Sequence, residues 1–444
     1  MFQHLQWTRL PSIFAENRAV NRRKEAAGYI PRFTLQRHLR IDAARSPRAP
    51  SFTAIRFSIS LPGQLRCGTT TRGFGHPPIT GRHKLNDSES NSVKTLAKKI
   101  VRSGIVGAKG ALSRLARPVF GGVGCIFCFH SIQENSSRSS IPAYRSICHS
   151  TDFLKKLVDR LRQRDIAVIS LDEVHERLLG KSKGKGQFAA FTFDDGYRNN
   201  IDHVLPLFEE RRLPFCLNIT PGLTDGDIPL WWHFLADLVA AKDSLSFSWN
   251  STEQTWQTRT PAEKNCAYEE IANLIRFEDQ ASCHDLASRL FEDHKIDWHL
   301  EQKNVLASWE SIANLAKNPL VTIGAHSLTH RTLKMLNDQE IRNELSGSRE
   351  QVAAEVGSPV DHFAYPFGGR NAVDHHVFQI AKSCNFKTLA TTRSSNLFPA
   401  HGRHLEALPR LMLSGNNEQM AAVELAMSGY DQAVKFRMRR VITD

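Results

Sequence analysis

An α/β fold, with its strands in one parallel sheet or barrel, is what this sequence predicts, on three observations. From Gly121 onward, short apolar runs rich in Phe, Ile, Val and Ala alternate with amphipathic stretches of helical period. Strand and helix taking turns in this way imply parallel strands joined by crossover helices. Pairs of acidic and histidine residues also fall just past the ends of the apolar runs, the carboxyl edge at which such folds gather their function.

Each element can be justified in chain order. "GCIFCF" is a continuous apolar strand, and "TDFLKKLVDRLRQR" is an amphipathic helix with Ser150 or Thr151 as its N-cap. "IAVIS" reads as a strand and "LDEVHERLL" as a helix. After the glycine-rich loop "GKSKGKG" comes the strand "QFAAFTF". "IDHVLPLFEERR" is helical despite its proline and leads to the strand "PFCLNIT". Residues from about 233 to 315 interrupt the alternation with a charged, mostly helical insertion. The strands "VTIGA", "HFAYP", "TLATT" and "RLML" then follow, with helices such as "NDQEIRNELSGSREQVAAEV" between them, and 416–444 reads as a helical tail.

The N-terminal part differs. Residues 1–120 hold 22 Lys and Arg against 5 Asp and Glu, so the net charge of +13 belongs to this part and the remainder is slightly acidic. Residues 1–92 are poor in acids, show little sustained periodicity and read as a basic, disordered extension. Residues 93–120 read as a basic amphipathic helix or linker; a helix over 93–117 would either pack on the domain or contact an anionic membrane surface. The charge is not clustered on a nucleic-acid-binding motif, so no nucleic-acid partner is expected. No apolar run is long enough to span a bilayer and no secretory leader is visible, which favours the cytoplasm. The eight cysteines are scattered, several within apolar runs, and read as buried thiols rather than as a disulfide framework. Cys125 and Cys128, though spaced C-x-x-C, fall on opposite faces of one strand.

Three strand ends carry chemistry. "TFDDG", at the end of one strand, places two adjacent carboxylates, Asp194 and Asp195, where mutual repulsion makes burial costly. "HSLTH" follows another strand, and the i, i+4 spacing of His326 and His330 puts both imidazoles on one face of a helical turn. Two imidazoles and a carboxylate are a usual ligand set for a catalytic divalent metal. "HFAYPFGGR" ends a third strand in a turn of Tyr365, Pro366, Phe367 and Gly368, whose glycine permits close approach to a substrate. Trp231 and Trp232 are adjacent aromatics suited either to stacking on sugar faces or to burial.

Together these motifs resemble the polysaccharide deacetylases, the carbohydrate esterase group that shares the NodB homology domain. Thr192–Gly196 matches the family's T-F-D-D-G, His326, Ser327 and His330 match H-[ST]-x-x-H, and Pro366–Gly368 matches P-[YF]-G, in the family's order. The resemblance spans roughly 121–415 and implies a distorted or incomplete (β/α) barrel. It further implies that Asp194 is a general base, that Asp195, His326 and His330 hold a divalent metal, and that N-acetyl groups are hydrolysed from glycans containing N-acetylglucosamine. Zinc is the first expectation, with cobalt, nickel or manganese as alternatives. A backbone N–H near Phe367 would hold the oxyanion, and the 365–368 turn with Trp231 and Trp232 would bind substrate.

The sequence departs from the family in two places. Ala364 stands where an arginine usually orients the base, and the late L-x-L-H motif is absent. Its nearest equivalent, "LPRLMLSG", offers Arg410 as the replacement partner for the base. The general acid then has to be another residue, with His130, His404 or His401 as candidates. Removal of an acyl or formyl group from a lipid-linked sugar, and non-catalytic glycan binding on the same fold, are the alternative readings.

Overall fold

The computed structural model describes residues 112–134, 139–249, 252–277 and 279–443. The expectations for 1–92 and for residues 93–111 lie outside the described residues, while 112–120 is helical. Twelve strands are named here in chain order: β1 Gly124–Phe129, β2 Ser131–Gln133, β3 Cys148–Ser150, β4 Ala167–Val168, β5 Phe188–Phe193 and β6 Phe215–Ile219. They continue with β7 Ser244–Trp249, β8 Thr252–Gln257, β9 Val321–Ala325, β10 His362–Ala364, β11 Thr388–Ala390 and β12 Leu411–Met412.

One curled parallel sheet runs β11-β10-β9-β6-β5-β1-β12, with β4 beside the first half of β5. A parallel bridge between Ala390 and Leu408 carries the segment before β12 back against β11. Both ends of the sheet therefore converge, giving the distorted (β/α) barrel that the family resemblance implies. All eight apolar runs assigned as strands pair in this sheet.

Alternation along the strands divides their side chains into two sets. The odd-numbered residues Cys125, Phe127, Phe129, Ala189, Phe191, Phe193, Phe215, Leu217, Ile219, Ile323 and Ala325 share one core with the surrounding helices. That core is aromatic: the Phe191 ring meets Phe208 edge-on at 5.1 Å and Phe127 at 5.3 Å. The even-numbered residues turn the other way. Ile126, Ala190 and Cys216 form an apolar plug with Leu397 and Leu408. Further toward the carboxyl edge the same column becomes polar, through Cys128, Thr192 and Asn218 to Asp194. A Cβ on Gly324, in the neighbouring strand, would come within 2.2 Å of Asn218 Oδ1, so only glycine leaves room for that amide.

The helices are punctuated as expected. Ser150 caps Thr151–Gln163 by accepting from the Phe153 N–H at 3.1 Å, and Ser170 caps Leu171–Leu178 in the same way. The "IDHVLPLFEERR" segment accommodates Pro206 by opening with a wider π-turn over Asn200–Val204 before the α-helix Leu205–Arg211.

The insertion has its own core, centred on Trp231, Phe234, Leu245, Phe291 and Trp298. It contains helices at Trp231–Ala241, Pro261–Phe277, Cys283–Asp293, Trp298–Val305 and Trp309–Leu315. It is not wholly helical: β7 and β8 form an antiparallel hairpin, in which Leu245, Phe247 and Trp249 turn inward between serines. The insertion is stitched to the barrel where the two carboxylates sit. The Ala307 N–H donates to the Gly196 carbonyl at 3.0 Å, and Trp232 Nε1–H donates to the Tyr197 hydroxyl at 2.9 Å.

No disulfide joins any two of the seven described cysteines, and six of them are buried. No helix among the described residues is long and apolar enough to cross a membrane.

Candidate active site

At the carboxyl edge of β5 the chain delivers Asp194 along the inward column, then turns sharply. Asp195 has φ 73° and Gly196 φ 71°, so the second carboxylate leaves the strand direction altogether. The two neighbours consequently enter different surroundings, although both are almost fully buried.

Asp194 is held by a bidentate fork from Arg410, whose two terminal nitrogens donate to Oδ1 and Oδ2 at 2.8 Å each. Asn218 Nδ2–H donates to Oδ1 at 2.7 Å, and the Cys128 thiol approaches Oδ2 at 3.5 Å. Cys128 is therefore more than an apolar filler. Burial pushes the Asp194 carboxyl up, but the charge and hydrogen bonds of Arg410, with His326, outweigh it and hold it well below the usual carboxylate range. Arg410 has no exposed surface and is not a surface arginine. Its Nε–H donates to the Thr391 carbonyl at 3.1 Å and one terminal nitrogen to Thr192 Oγ1 at 3.0 Å, which fixes the plane of the fork.

Asp195 faces two histidines. Its Oδ1 lies 3.4 Å from His326 Nε2 and 3.5 Å from His330 Nε2, and it accepts no hydrogen bond of good geometry. The potential ligand atoms of all three residues lie within 4.8 Å of one another. Ligand atoms about 2.0–2.2 Å from one tetrahedral ion stand roughly 3.4 Å apart, so this spacing fits a shared metal better than it fits direct hydrogen bonds. The histidines are also arranged as ligands. His326 Nδ1–H donates to the Ala364 carbonyl at 2.7 Å, leaving the Nε2 lone pair turned toward Asp195. Burial pulls His330 down despite Asp195, keeping its imidazole neutral. His326 is pulled down by burial too, but Asp194 and Asp195 lift it above its ordinary value. Two buried carboxylates with one arginine between them are short of one cation, and the Asp–His–His set is where a divalent ion fits.

His326 and His330 do not share a helical turn, as the spacing predicts. They lie in a loop with φ 64° at Ser327 and 53° at His330. The loop folds back because Ser327 Oγ accepts the His330 N–H at 2.9 Å and the Thr329 N–H donates to buried Glu344 at 2.9 Å. The imidazoles meet all the same, with ring centroids 4.9 Å apart.

The third strand end closes the floor. Phe367 has φ 58°, rare for a bulky residue, and its ring meets the His330 ring at 4.8 Å. The Phe367 N–H donates to no protein acceptor among the described residues, while the Gly368 N–H is used within the turn, to the Pro366 carbonyl at 2.6 Å. Tyr365 is buried, its hydroxyl donating to the Glu406 carbonyl at 2.9 Å.

A cavity of about 470 Å³ opens above these groups. Asp194, Asp195, His130, His326, His330, Tyr365 and Phe367 line it from the barrel, and Trp232, Tyr268, Asn273 and Arg276 from the insertion. The tryptophans are placed otherwise than as an open stacking platform. Trp231 is buried against Phe367 at 6.4 Å and does not line the cavity. Trp232 reaches it but is 4% exposed, with its ring 4.5 Å from His330. Both sit at the start of a helix whose other face is core, which draws them inward. His404 is also elsewhere: it lies 3.8 Å from Glu406 and does not line the cavity, while His401 is buried against Phe398. Of the proton-donor candidates, His130 is the one in the cavity.

Sequence reasoning missed Asn218, Cys128 and Arg276. A polar Asn218 inside the buried run "FCLNIT" was a usable signal; Arg276 offered none.

The family described as polysaccharide deacetylase matches this chain over residues 288–389, which contain His326, His330 and the 365–368 turn but not Asp194 or Asp195. No curated protein matches the sequence. Among solved structures, the deacetylase PplD from Streptococcus pyogenes, in complex with acetate, is similar at 14% identity and a TM-score of 0.45, covering 68% of this chain and 96% of that one. IcaB from Ammonifex degensii is similar at 15% identity and a TM-score of 0.44, covering 69% and 98%. A polysaccharide deacetylase from Bacillus cereus follows at 13% and 0.42, covering 69% and 68%. Over 288–389, across the histidine pair and the proline turn, the chain is thus similar to the polysaccharide deacetylases, a family of hydrolases.

Proposed function

We propose that this protein hydrolyses the N-acetyl amide of N-acetylglucosamine units in an oligo- or polysaccharide, using a divalent metal held by Asp195, His326 and His330. One juxtaposition carries this reading: a carboxylate clamped in its ionised form by Arg410 stands beside a converging Asp–His–His set on the floor of one cavity. Two imidazoles and one carboxylate suit zinc first, then cobalt, nickel or manganese.

When bound, the metal supplies Lewis acidity, polarising the amide carbonyl and making water easier to deprotonate. Asp194 takes the proton from the attacking water. Its Oδ1 already accepts from both Arg410 and Asn218, whereas Oδ2 accepts from Arg410 and only weakly from Cys128, so Oδ2 is the better acceptor. Arg410 orients the base at the expense of basicity, a fair exchange where the water itself is acidified. The uncommitted Phe367 N–H donates to the carbonyl oxygen as negative charge develops there. His130 passes the proton on. Burial pulls it below its ordinary value against the pull of Asp195 and Asp194, and it lies in one cluster with Cys128 and Asp194. A neutral His130 can accept the proton from Asp194 and protonate the departing amine.

The test is acetate release from a panel of N-acetylated oligosaccharides. Release should stop with chelator and return with added zinc. No acetate from any member of the panel, with metal restored, would refute the reading.

A further inference from the structure

Among the described residues Arg276 is the single lysine or arginine lining the cavity, and it comes from the insertion rather than the barrel. Its surroundings are unusual for a cation. No carboxylate among the described residues forms an ion pair with it, and its Nε is buried without a hydrogen-bond acceptor. Glu269, the acid on the same helix that also lines the cavity, accepts instead from Asn265 Nδ2–H at 3.1 Å. The guanidinium lies over two aromatic rings, its central carbon 5.3 Å from the Phe367 centroid and 5.5 Å from that of Trp231. Burial lowers its pKa, the mark of a cation whose lost hydration is not fully replaced. Two ring faces offset part of that cost and also fix the fork in place.

The position is fixed relative to the reaction centre as well. Thr332, two residues after His330, donates its hydroxyl to the Arg276 carbonyl at 2.6 Å and its N–H to Gln280 Oε1 at 2.8 Å. Gln280 Nε2–H donates back to the Arg276 carbonyl at 3.0 Å. The helix end that carries Arg276 is thus tied to the loop that carries the histidines. The Phe367 ring meets both groups, with the Arg276 guanidinium over it and the His330 ring edge-on to it.

We propose that Arg276 is a specificity-determining residue for an oxyanion on the acylated sugar, a phosphate or carboxylate close to the acetamide, so that acidic N-acyl sugars are preferred over neutral ones. A planar guanidinium held over two rings, with no internal acceptor, offers its N–H groups to two oxygens at once. The inference rests on the reading of this cavity as the acyl-sugar site.

Binding and turnover of four probes separate the outcomes: N-acetylglucosamine, its 1-phosphate, its 6-phosphate, and its carboxylate-bearing ether N-acetylmuramic acid. Calorimetry on the metal-loaded full chain should show at least one acidic probe binding more tightly than the neutral sugar. That preference should fall roughly 10- to 100-fold in Arg276→Gln and be partly kept in Arg276→Lys, the range expected for a charged hydrogen bond. Tighter binding of the two phosphates identifies the anion as phosphate, and of the muramic acid as carboxylate. Equal binding of all four probes by the wild-type chain overturns the proposal, whether or not the variants fold. So does a preference indifferent to Arg276 and lost in His326→Ala, which would place the anion on the metal. If Arg276-dependent binding persists while no probe releases acetate, the hydrolytic reading fails and this one stands.

Discussion

The two walls of the cavity are built on different rules. The barrel wall collects side chains from the ends of several strands, where alternation turns every second residue inward and the column changes from Ile126 and Ala190 to Thr192, Asn218 and Asp194. The groups around the base are tied to one another, Arg410 to Asp194 and Thr192, Asn218 to Asp194 and His326 to Ala364, whereas Asp195 Oδ1 and His330 Nδ1 have no hydrogen-bond partner among the described residues. The insertion wall is Trp232 and the helix Pro261–Phe277, laid across an independent apolar core and presenting Tyr268, Glu269, Asn273 and Arg276, a cation that forms no ion pair among the described residues. Strand ends hold a few atoms rigidly enough for a reaction. An inserted helix is free to vary what the reaction is performed on. The barrel wall also carries the backbone strain, with positive φ at Asp195, Ser327, His330 and Phe367, each costing on the order of 1 kcal/mol.

The sharpest break between two groups of the barrel wall is between adjacent residues. Asp195→Asn should reduce metal affinity, and excess metal should restore part of the activity. Asp194→Asn should keep the metal and lose about 10²- to 10⁴-fold in kcat, because an amide of the same shape accepts no proton at neutral pH. Metal content and acetate release across a metal titration measure both variants. Equal rescue of the two by metal would mean that their roles are assigned wrongly.

The next effect concerns the clamp. Arg410→Met leaves Asp194 buried with its main counter-charge removed and should cost about 3–5 kcal/mol in urea unfolding, with metal stoichiometry unchanged. Arg410→Lys, which keeps the charge but not the fork, should cost less stability while still lowering kcat, since a point charge does not fix the carboxylate plane. A fully stable Arg410→Met would show that the metal, not Arg410, keeps Asp194 ionised.

These residues differ in how far they could be read in advance. Asp194, Asp195, His326 and His330 stand at the ends of apolar runs, so strand period alone places them on one edge. Their partner Arg410 was legible only through the family resemblance, as the replacement partner for the base, because the exchange of one inward side chain for another with four strands between them leaves no local trace. The His326–His330 pair was read correctly as a pair and wrongly as a helical turn: i, i+4 spacing does not distinguish a helix from a loop closed by Ser327 and Glu344. The β7–β8 hairpin was hidden by its helical neighbours, since only Leu245, Phe247 and Trp249 carry the period of two. Arg276 could not be seen at all. An arginine near a helix end is ordinary until the packing of Trp231 and Phe367 shows which way it faces.

The smallest effect tests whether the two walls form one cooperative structure. Thr332→Val keeps the side-chain volume and removes the hydroxyl that donates to the Arg276 carbonyl, which retains Gln280 as a donor and is not orphaned. The loss should be about 1 kcal/mol, and the melting temperature should fall by about 2 °C. Six of the seven tryptophans lie between Trp231 and Trp309, so intrinsic fluorescence reports mainly on the insertion, whereas far-ultraviolet circular dichroism reports on the whole chain. Because Ala307 and Trp232 also tie the insertion to the turn that carries Asp195, both signals should melt together in the wild type and shift together in the variant. A fluorescence transition that moves alone would make the insertion a separate folding unit. The cavity would then be a gap between two bodies, and the fixed distance from Arg276 to the histidines would have to come from the bound sugar.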